Sequence, residues 1–304
     1  MMNYYAVTDV GGSAIKYALM DETGRIIEKS SVPTPKTGLA DFLDSISNIV
    51  NGFKESHELK GLAVSIPGAV NVETGFIEGT SALPYIHGPN IKELLQERTN
   101  LPVELENDAN CAGLSEGWLG AAKDVKDYIC VVLGIGVGGA LVLDKKIRHG
   151  KNFYAGEFGY MLLEDYLGPN KGESLSSLAA VGGLIKQVAK RKAIDPSELT
   201  GKIIYELAEN DPEVADEIEK FMKRLAVGIY NLQFILDPEK ILIGGAISQR
   251  EGFVEKINEL LDQMKHDPKN LPFKAERCQF GNDSNLIGAL YHFLQRHQEQ
   301  TILA

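Results

Sequence analysis

The chain has 304 residues and a formal net charge of −11, with 44% hydrophobic and 24% charged residues. That balance is ordinary for a globular protein long enough for two domains or one large α/β unit, and the excess of acid argues against a nucleic-acid surface. The three cysteines, Cys111, Cys130 and Cys278, lack CxxC spacing, no apolar run reaches the ~18 residues of a membrane span, and no signal-peptide pattern opens the chain, so a cytoplasmic protein without disulfides is expected.

Residues 4–9, 15–20 and 25–32 read as an antiparallel meander, with turns at Val10-Gly11-Gly12-Ser13 and Asp21-Glu22-Thr23-Gly24. Leu39, Phe42, Leu43, Ile46, Ile49 and Val50 keep helical spacing and place a helix over 38–53. A buried strand follows over 61–66, ended by Pro67-Gly68. A turn over 71–75, a short helix over 91–98 and a strand over 101–105 come next. Glu106-Asn107-Asp108-Ala109-Asn110 then opens a helix that runs past Trp118. An acid in a first turn is first of all a capping group, because it accepts from unpaired backbone N–H groups and the macrodipole favours its charge.

The opening pattern then repeats. A strand over 127–133, a glycine-rich turn over 134–139, a strand over 140–143 and a turn at Asp144-Lys145-Lys146 mirror the first hairpin, which implies an internal duplication. Residues 174–192 read as two short helices divided at Gly182-Gly183. Asp211-Pro212 starts a long helix, whose stripe from Val214 to Leu232 is a core face. A strand over 240–243 runs into Gly244-Gly245. A helix over 252–265, a strand over 273–277, a terminal helix over 284–296 and a loose tail over 298–304 complete the reading.

Three glycine-rich segments follow strands, at 11–12, 134–139 and 244–245. Glycine lets backbone N–H groups approach an anion with no side chain between, so three such segments can hold a nucleotide. No segment matches the GxxxxGK[ST] phosphate loop. Residues 134–139 lead into a strand, not a helix, so they are not a dinucleotide fingerprint.

Taken in order, these segments resemble those of the ROK family of sugar kinases. Asp9-Val10-Gly11-Gly12-Ser13 with Lys16 is similar to its first phosphate motif, and Ser65-Ile66-Pro67-Gly68-Ala69-Val70 to its PG-x-V segment. Glu106 to Asn110 resembles its catalytic segment, and Leu133 to Gly139 its second phosphate motif. Gly156-Glu157-Phe158-Gly159 resembles its sugar loop, and Ile243 to Ser248 its adenosine motif. The resemblance implies an α/β, two-lobed actin-like ATPase (ribonuclease H-like) fold, with a duplicated mixed β-sheet core flanked by helices. It implies a small lobe over 1–114 to which a helix over 286–304 returns, a large lobe over 115–285, and sugar in the cleft. The long middle helices could support a homodimer.

The resemblance also implies ATP and Mg²⁺, with a small-molecule sugar as acceptor at its 6-hydroxyl. Asp108 would be the general base. Asn107, Glu157, Glu173 and Gly68 would contact sugar. Asp9, Gly11, Gly12, Ser13, Lys16, Gly136, Gly138, Gly139, Gly244 and Gly245 would serve ATP, with Asp9 orienting Mg²⁺ through water. Three departures mark the acceptor side. Tyr160 stands where the family has His. Residues 165–177 hold no Cys or His, so no structural zinc site is expected. Ser81-Ala82-Leu83-Pro84 replaces Asn-Leu-Pro. The expected acceptor is a hexose or hexose derivative, with a β-glucoside or N-acetylated hexosamine as the alternative to free glucose where these walls are changed, and Tyr85, Tyr160 and Tyr166 available for stacking. The same changes leave open a sugar or nucleotide sensor without turnover. A DNA-binding repressor is disfavoured by the charge and by a chain that begins at the first phosphate strand.

Overall fold

The computed structural model describes residues 2–163, 173–265 and 272–303, with side chains as far as His297. The chain forms two compact units. The first is Met1–Leu119, His149–Tyr154 and Asp283–Ala304, and the second is Gly120–Arg148 and Ala155–Asn282.

In the first unit, β1 (Tyr4–Val10), β2 (Ala14–Asp21) and β3 (Ile26–Pro33) form the meander. Helix α1 (Leu39–Lys54) leads to β4 (Leu59–Ile66), which is buried along nearly its whole length, as a central parallel strand must be. A two-stranded ribbon, β5 (Ala69–Val70) and β6 (Ile77–Glu78), precedes α2 (Ile91–Thr99), β7 (Val103–Asn107) and α3 (Asp108–Trp118). The main sheet has the order β3-β2-β1-β4-β7, with β4 parallel to both β1 and β7. Phe42, Ile46 and Val50 of α1 and Ile91 and Leu95 of α2 pack into its core.

The second unit repeats the plan. Strands β8 (Tyr128–Leu133), β9 (Val137–Leu143) and β10 (Lys146–Ile147) form its meander. Helices α4 (Leu175–Ala179), α5 (Val181–Lys192), α6 (Gly201–Ala208) and α7 (Pro212–Leu236) come before β11 (Lys240–Gly244), α8 (Phe253–Met264) and β12 (Ala275–Arg277). The order β10-β9-β8-β11-β12 is the first sheet's order strand for strand, with β11 parallel to β8 and β12. The duplication inferred from two hairpins therefore extends to whole sheets. The last helix, α9 (Ser284–Leu303), belongs to the first unit, where it packs on α3, β1, β4 and β7. Among the described residues no helix is long and apolar enough to cross a membrane.

Four local expectations need correction. The returning strand of the second hairpin starts at Val137, so Gly138 and Gly139 lie in the ladder opposite Val132 and Val131. The divide between α4 and α5 is Ala180, and Gly182 and Gly183 sit in the first turn of α5. They are there for space: a Cβ would fall 2.4 Å from the Ile135 carbonyl oxygen at Gly182 and 2.3 Å from that of Ser177 at Gly183. Helix α6 went unread in the sequence; Thr200 caps it by accepting from Ile203 N. Helix α9 continues through the supposed loose tail to Leu303, since no Gly or Pro interrupts it after Arg296.

Candidate active site

The residues singled out in the sequence fall into a group in each unit. In the first, strand pairing sets Asp9 on β1 opposite Lys16 on β2 and Ser65 on β4. The Asp9 carboxylate is buried. Its Oδ1 accepts from Ser65 Oγ at 3.0 Å and from Asn285 Nδ2 of α9 at 3.0 Å, while Lys16 Nζ stands 3.6 Å from Oδ2. The turn beside it is braced. Gly11 N donates to the Ala14 carbonyl, Thr34 Oγ1 donates to the Gly11 carbonyl, and Lys36 Nζ reaches the Gly12 carbonyl. Ser13 belongs to the same turn through its carbonyl, which accepts from Thr34 N. Asn285 and Ser65 were missed in the sequence because nothing local links either residue to position 9.

At the start of α3 the cap is Asn107, not the acid after it. Asn107 Oδ1 accepts from Asn110 N at 3.0 Å, and Nδ2 donates to the Gly68 carbonyl at 3.0 Å. An amide has two N–H donors and two lone pairs, so Asn107 keeps capacity for a further partner on each side. Gly68 requires glycine: its φ is +111°, and a Cβ would meet Ile77 Cγ2 at 2.7 Å. Asp108 is half-buried, and its Oδ1 accepts from Ala109 N at 2.8 Å. Tyr85 is committed elsewhere, donating its hydroxyl to the Pro35 carbonyl. Ala82 lies against the first turn, where a Cβ on Gly12 would come within 3.0 Å of its own Cβ.

In the second unit the glycines let backbone segments close on one another. Gly134 N donates to the Gly136 carbonyl, and Ser176 Oγ accepts from Val137 N at 2.8 Å. A Cβ on Gly139 would fall 2.2 Å from the Phe158 ring. That contact presses the Gly156-Glu157-Phe158-Gly159 loop onto β9, where it places Glu157 half-buried. Burial raises the Glu157 carboxyl above its usual range. The Glu173 carbonyl accepts from Leu163 N, so the segment entering α4 pairs with the stretch that follows Tyr160. Tyr160 itself is exposed. Tyr166 and most of the supposed zinc segment lie outside the described residues.

Gly244 ends β11, and Gly245 follows with φ +92°, where a Cβ would clash with the Leu133 carbonyl oxygen at 2.0 Å. Beside this turn lies a cavity of about 480 Å³, lined chiefly by Ile135, Val181, Ile185, Tyr205, Ile247 and Arg250. The Arg250 guanidinium stacks 4.2 Å from the centre of the Tyr205 ring. Burial pushes the Tyr205 hydroxyl up to about 12, so it remains a neutral phenol. The slot is largely apolar, with the Arg250 guanidinium on one wall. Sequence reading found its glycines but not Tyr205 or Arg250, since α6, which carries the tyrosine, went unread.

A sequence model described as the ROK family matches residues 4–296. The chain belongs to the ROK family. A β-glucoside kinase from Listeria monocytogenes is 33% identical, over 96% of this chain and 99% of that protein. A ROK family protein from Streptococcus pneumoniae, solved in complex with sucrose, superposes with a TM-score of 0.86 at 35% identity, covering 97% of this chain and 99% of that one. A ROK glucokinase from Streptomyces griseus, solved with glucose and AMPPNP, gives a TM-score of 0.81 at 25% identity over 95% of this chain and 98% of that one. The duplicated sheet is thus the actin-like ATPase fold of ROK sugar kinases.

Proposed function

We propose that this chain is an ATP-dependent sugar kinase that phosphorylates a hexose or a glucoside at the 6-hydroxyl, with Asp108 as general base. The observation that carries this reading is the division of labour at the start of α3. Asn107 fills the cap, so Asp108 sits at a helix N-terminus without being its N-cap. A carboxylate in hydrogen-bond reach of a sugar hydroxyl accepts its proton as the hydroxyl attacks the terminal phosphoryl group. Asn107 and Gly68 are the sugar contacts of the first unit, and Glu157 and Glu173 of the second accept hydrogen bonds from sugar hydroxyls. The glycine turns at 11–12, 134–136 and 244–245, with Gly138 and Gly139 of β9, bind the nucleotide. The cavity flanked by Tyr205 and Arg250 takes its base.

Asp9 fits a hydrated Mg²⁺. Its Oδ1 is held by Ser65 and Asn285, while Oδ2 faces the Lys16 ammonium only at 3.6 Å, which suits an oxygen ligand acting through water. Bound there, the ion would screen the charge of the triphosphate. The glucoside assignment draws on the L. monocytogenes relative and on the altered Ala82 and Tyr160 positions.

The test is ADP release coupled to a reporter, over glucose, mannose, N-acetylated hexosamines and β-glucosides. Release with a glucoside or hexose is expected. Binding of sugar by calorimetry with no ADP release from any of them would replace the kinase by a sensor.

Two further results are expected. Tyr205→Ala and Arg250→Ala should each raise the KM for ATP about two- to fivefold with little change in kcat, since each removes one wall of the cavity and a cation–π contact at an exposed guanidinium is worth about 0.5–1 kcal/mol. Steady-state titration of ATP reads this, and an unchanged KM would remove the base from that cavity. Glu157 should give a pH effect. Its folded pKa lies above the unfolded value, so its ionised form costs stability as pH rises, and the carboxylate is lost early as pH falls. The KM for sugar should therefore rise on the acid side at a higher pH than an ordinary carboxylate gives, and Glu157→Gln should abolish that limb.

A further inference from the structure

Glu106, the residue before Asn107, is wholly buried and has no part in the proposed reaction. Its two oxygens do different things. Oε1 accepts from Asn107 N at 2.7 Å and from Asn110 Nδ2 at 3.0 Å. Oε2 lies 2.7 Å from His149 Nε2 and 3.5 Å from His292 Nδ1. His149 opens the segment His149–Tyr154, which belongs to the first unit although Arg148 and Ala155 on either side belong to the second. The far end of the segment is also placed closely, since a Cβ on Gly79 would come 3.0 Å from the Tyr154 hydroxyl.

A buried carboxylate must be paired or protonated. Glu106 faces His149, His292 of α9, Asn110 and Cys111 of α3; around the two imidazoles stand Arg296 of α9, Glu104 of β7 and Glu73 beyond β5, with Lys92 of α2 and His297 of α9 beside Glu104. Glu73 is bound by Arg296, and Lys92 pairs with Glu104. Burial lowers His292, which leaves that ring neutral near pH 7. His149 is the imidazole in hydrogen-bond contact with the Glu106 carboxylate, at 2.7 Å. Burial opposes the charge on both partners, but the His149–Glu106 bond outweighs it, lowering the carboxyl and raising the imidazole.

We propose that His149 is a positioning residue: its imidazolium holds Glu106, whose other oxygen fixes the Asn107 backbone and the Asn110 side chain that set the start of the helix carrying Asp108. The kinetic consequence rests on Asp108 being the base; the structural one does not. His149 is charged below its raised pKa, so the pair loses its cation as pH rises through that value, and the segment should loosen on the alkaline side.

The experiment uses the full chain with His149→Gln and His149→Lys, and reads both kinetics and amide exchange. His149→Gln should lower kcat about ten- to a hundredfold with the KM for ATP unchanged, and lose the alkaline limb of the kcat profile. His149→Lys should recover most of kcat and move that limb to higher pH. Exchange of the amides over 106–111 should be faster in His149→Gln and near wild type in His149→Lys. In the wild-type chain, corrected for its intrinsic rate, exchange should rise as pH passes the His149 titration. That wild-type measurement decides the matter even where a variant does not fold or no sugar is phosphorylated. Absence of turnover in the wild type overturns the kinase reading alone. Exchange over 106–111 that ignores both pH and the variants overturns the positioning role.

Discussion

Replacing Asp108 with Asn is expected to lower kcat by about 10²–10⁴-fold while ATP still binds. The change is nearly isosteric. A side-chain oxygen can still accept from Ala109 N, as Asp108 Oδ1 does at 2.8 Å, and the helix keeps its cap because that cap is Asn107. What is lost is the capacity to take a proton from the attacking hydroxyl. Calorimetry of ATP binding should be unaltered, and thermal unfolding should place the variant within about 0.5 kcal/mol of the wild type. Turnover near that of the wild type would remove Asp108 from the chemistry. A parallel loss of stability would mean that the residue serves α3 and not the reaction.

The second large effect concerns stability. Gly288→Ala should cost about 3 kcal/mol or more, the upper end of what overpacking costs, because the added methyl meets backbone and not a side chain that can turn away. A Cβ at Gly288 would lie 1.7 Å from the Cys111 carbonyl oxygen and 2.7 Å from its Cα. Cys111 belongs to α3, one turn beyond Asp108, so the close approach of α9 to α3 that glycine permits also sets where the helix start stands. Gly281, where an added methyl would meet nothing within 4 Å, is the control, and Gly281→Ala should be neutral within about 0.5 kcal/mol. Equal melting temperatures for the two variants would show that α9 does not pack on α3 as described.

Much of the fold was legible because its signals are local. Apolar strands separated by short glycine-rich or polar turns mark hairpins within a short stretch of chain, and both meanders were read within a few residues of their ends. The 3.6-residue stripe of α1 and the Asp211-Pro212 start of α7 are signals of the same kind. Two of the four local errors came where a glycine serves space and not a turn. Gly138 and Gly139 in β9, and Gly182 and Gly183 in α5, look like breakers until the neighbouring backbone is present.

The sequence by itself determined the family, the order of the motifs and the residue types that chemistry of this class needs, since each is written in a short contiguous run. Which partners each group meets was decided only in three dimensions. Asp9 is held by residues 56 and 276 positions away, Glu106 by His149 43 positions on, and Tyr205 is stacked by Arg250 from beyond the next strand. The chain distance between such partners carries no periodicity, so no local pattern records them. The opening of α3 shows both levels at once. Glu106-Asn107-Asp108 marks the site in the sequence, but only the folded chain assigns the cap to Asn107 and the buried pair to Glu106, leaving Asp108 the residue to test as the base.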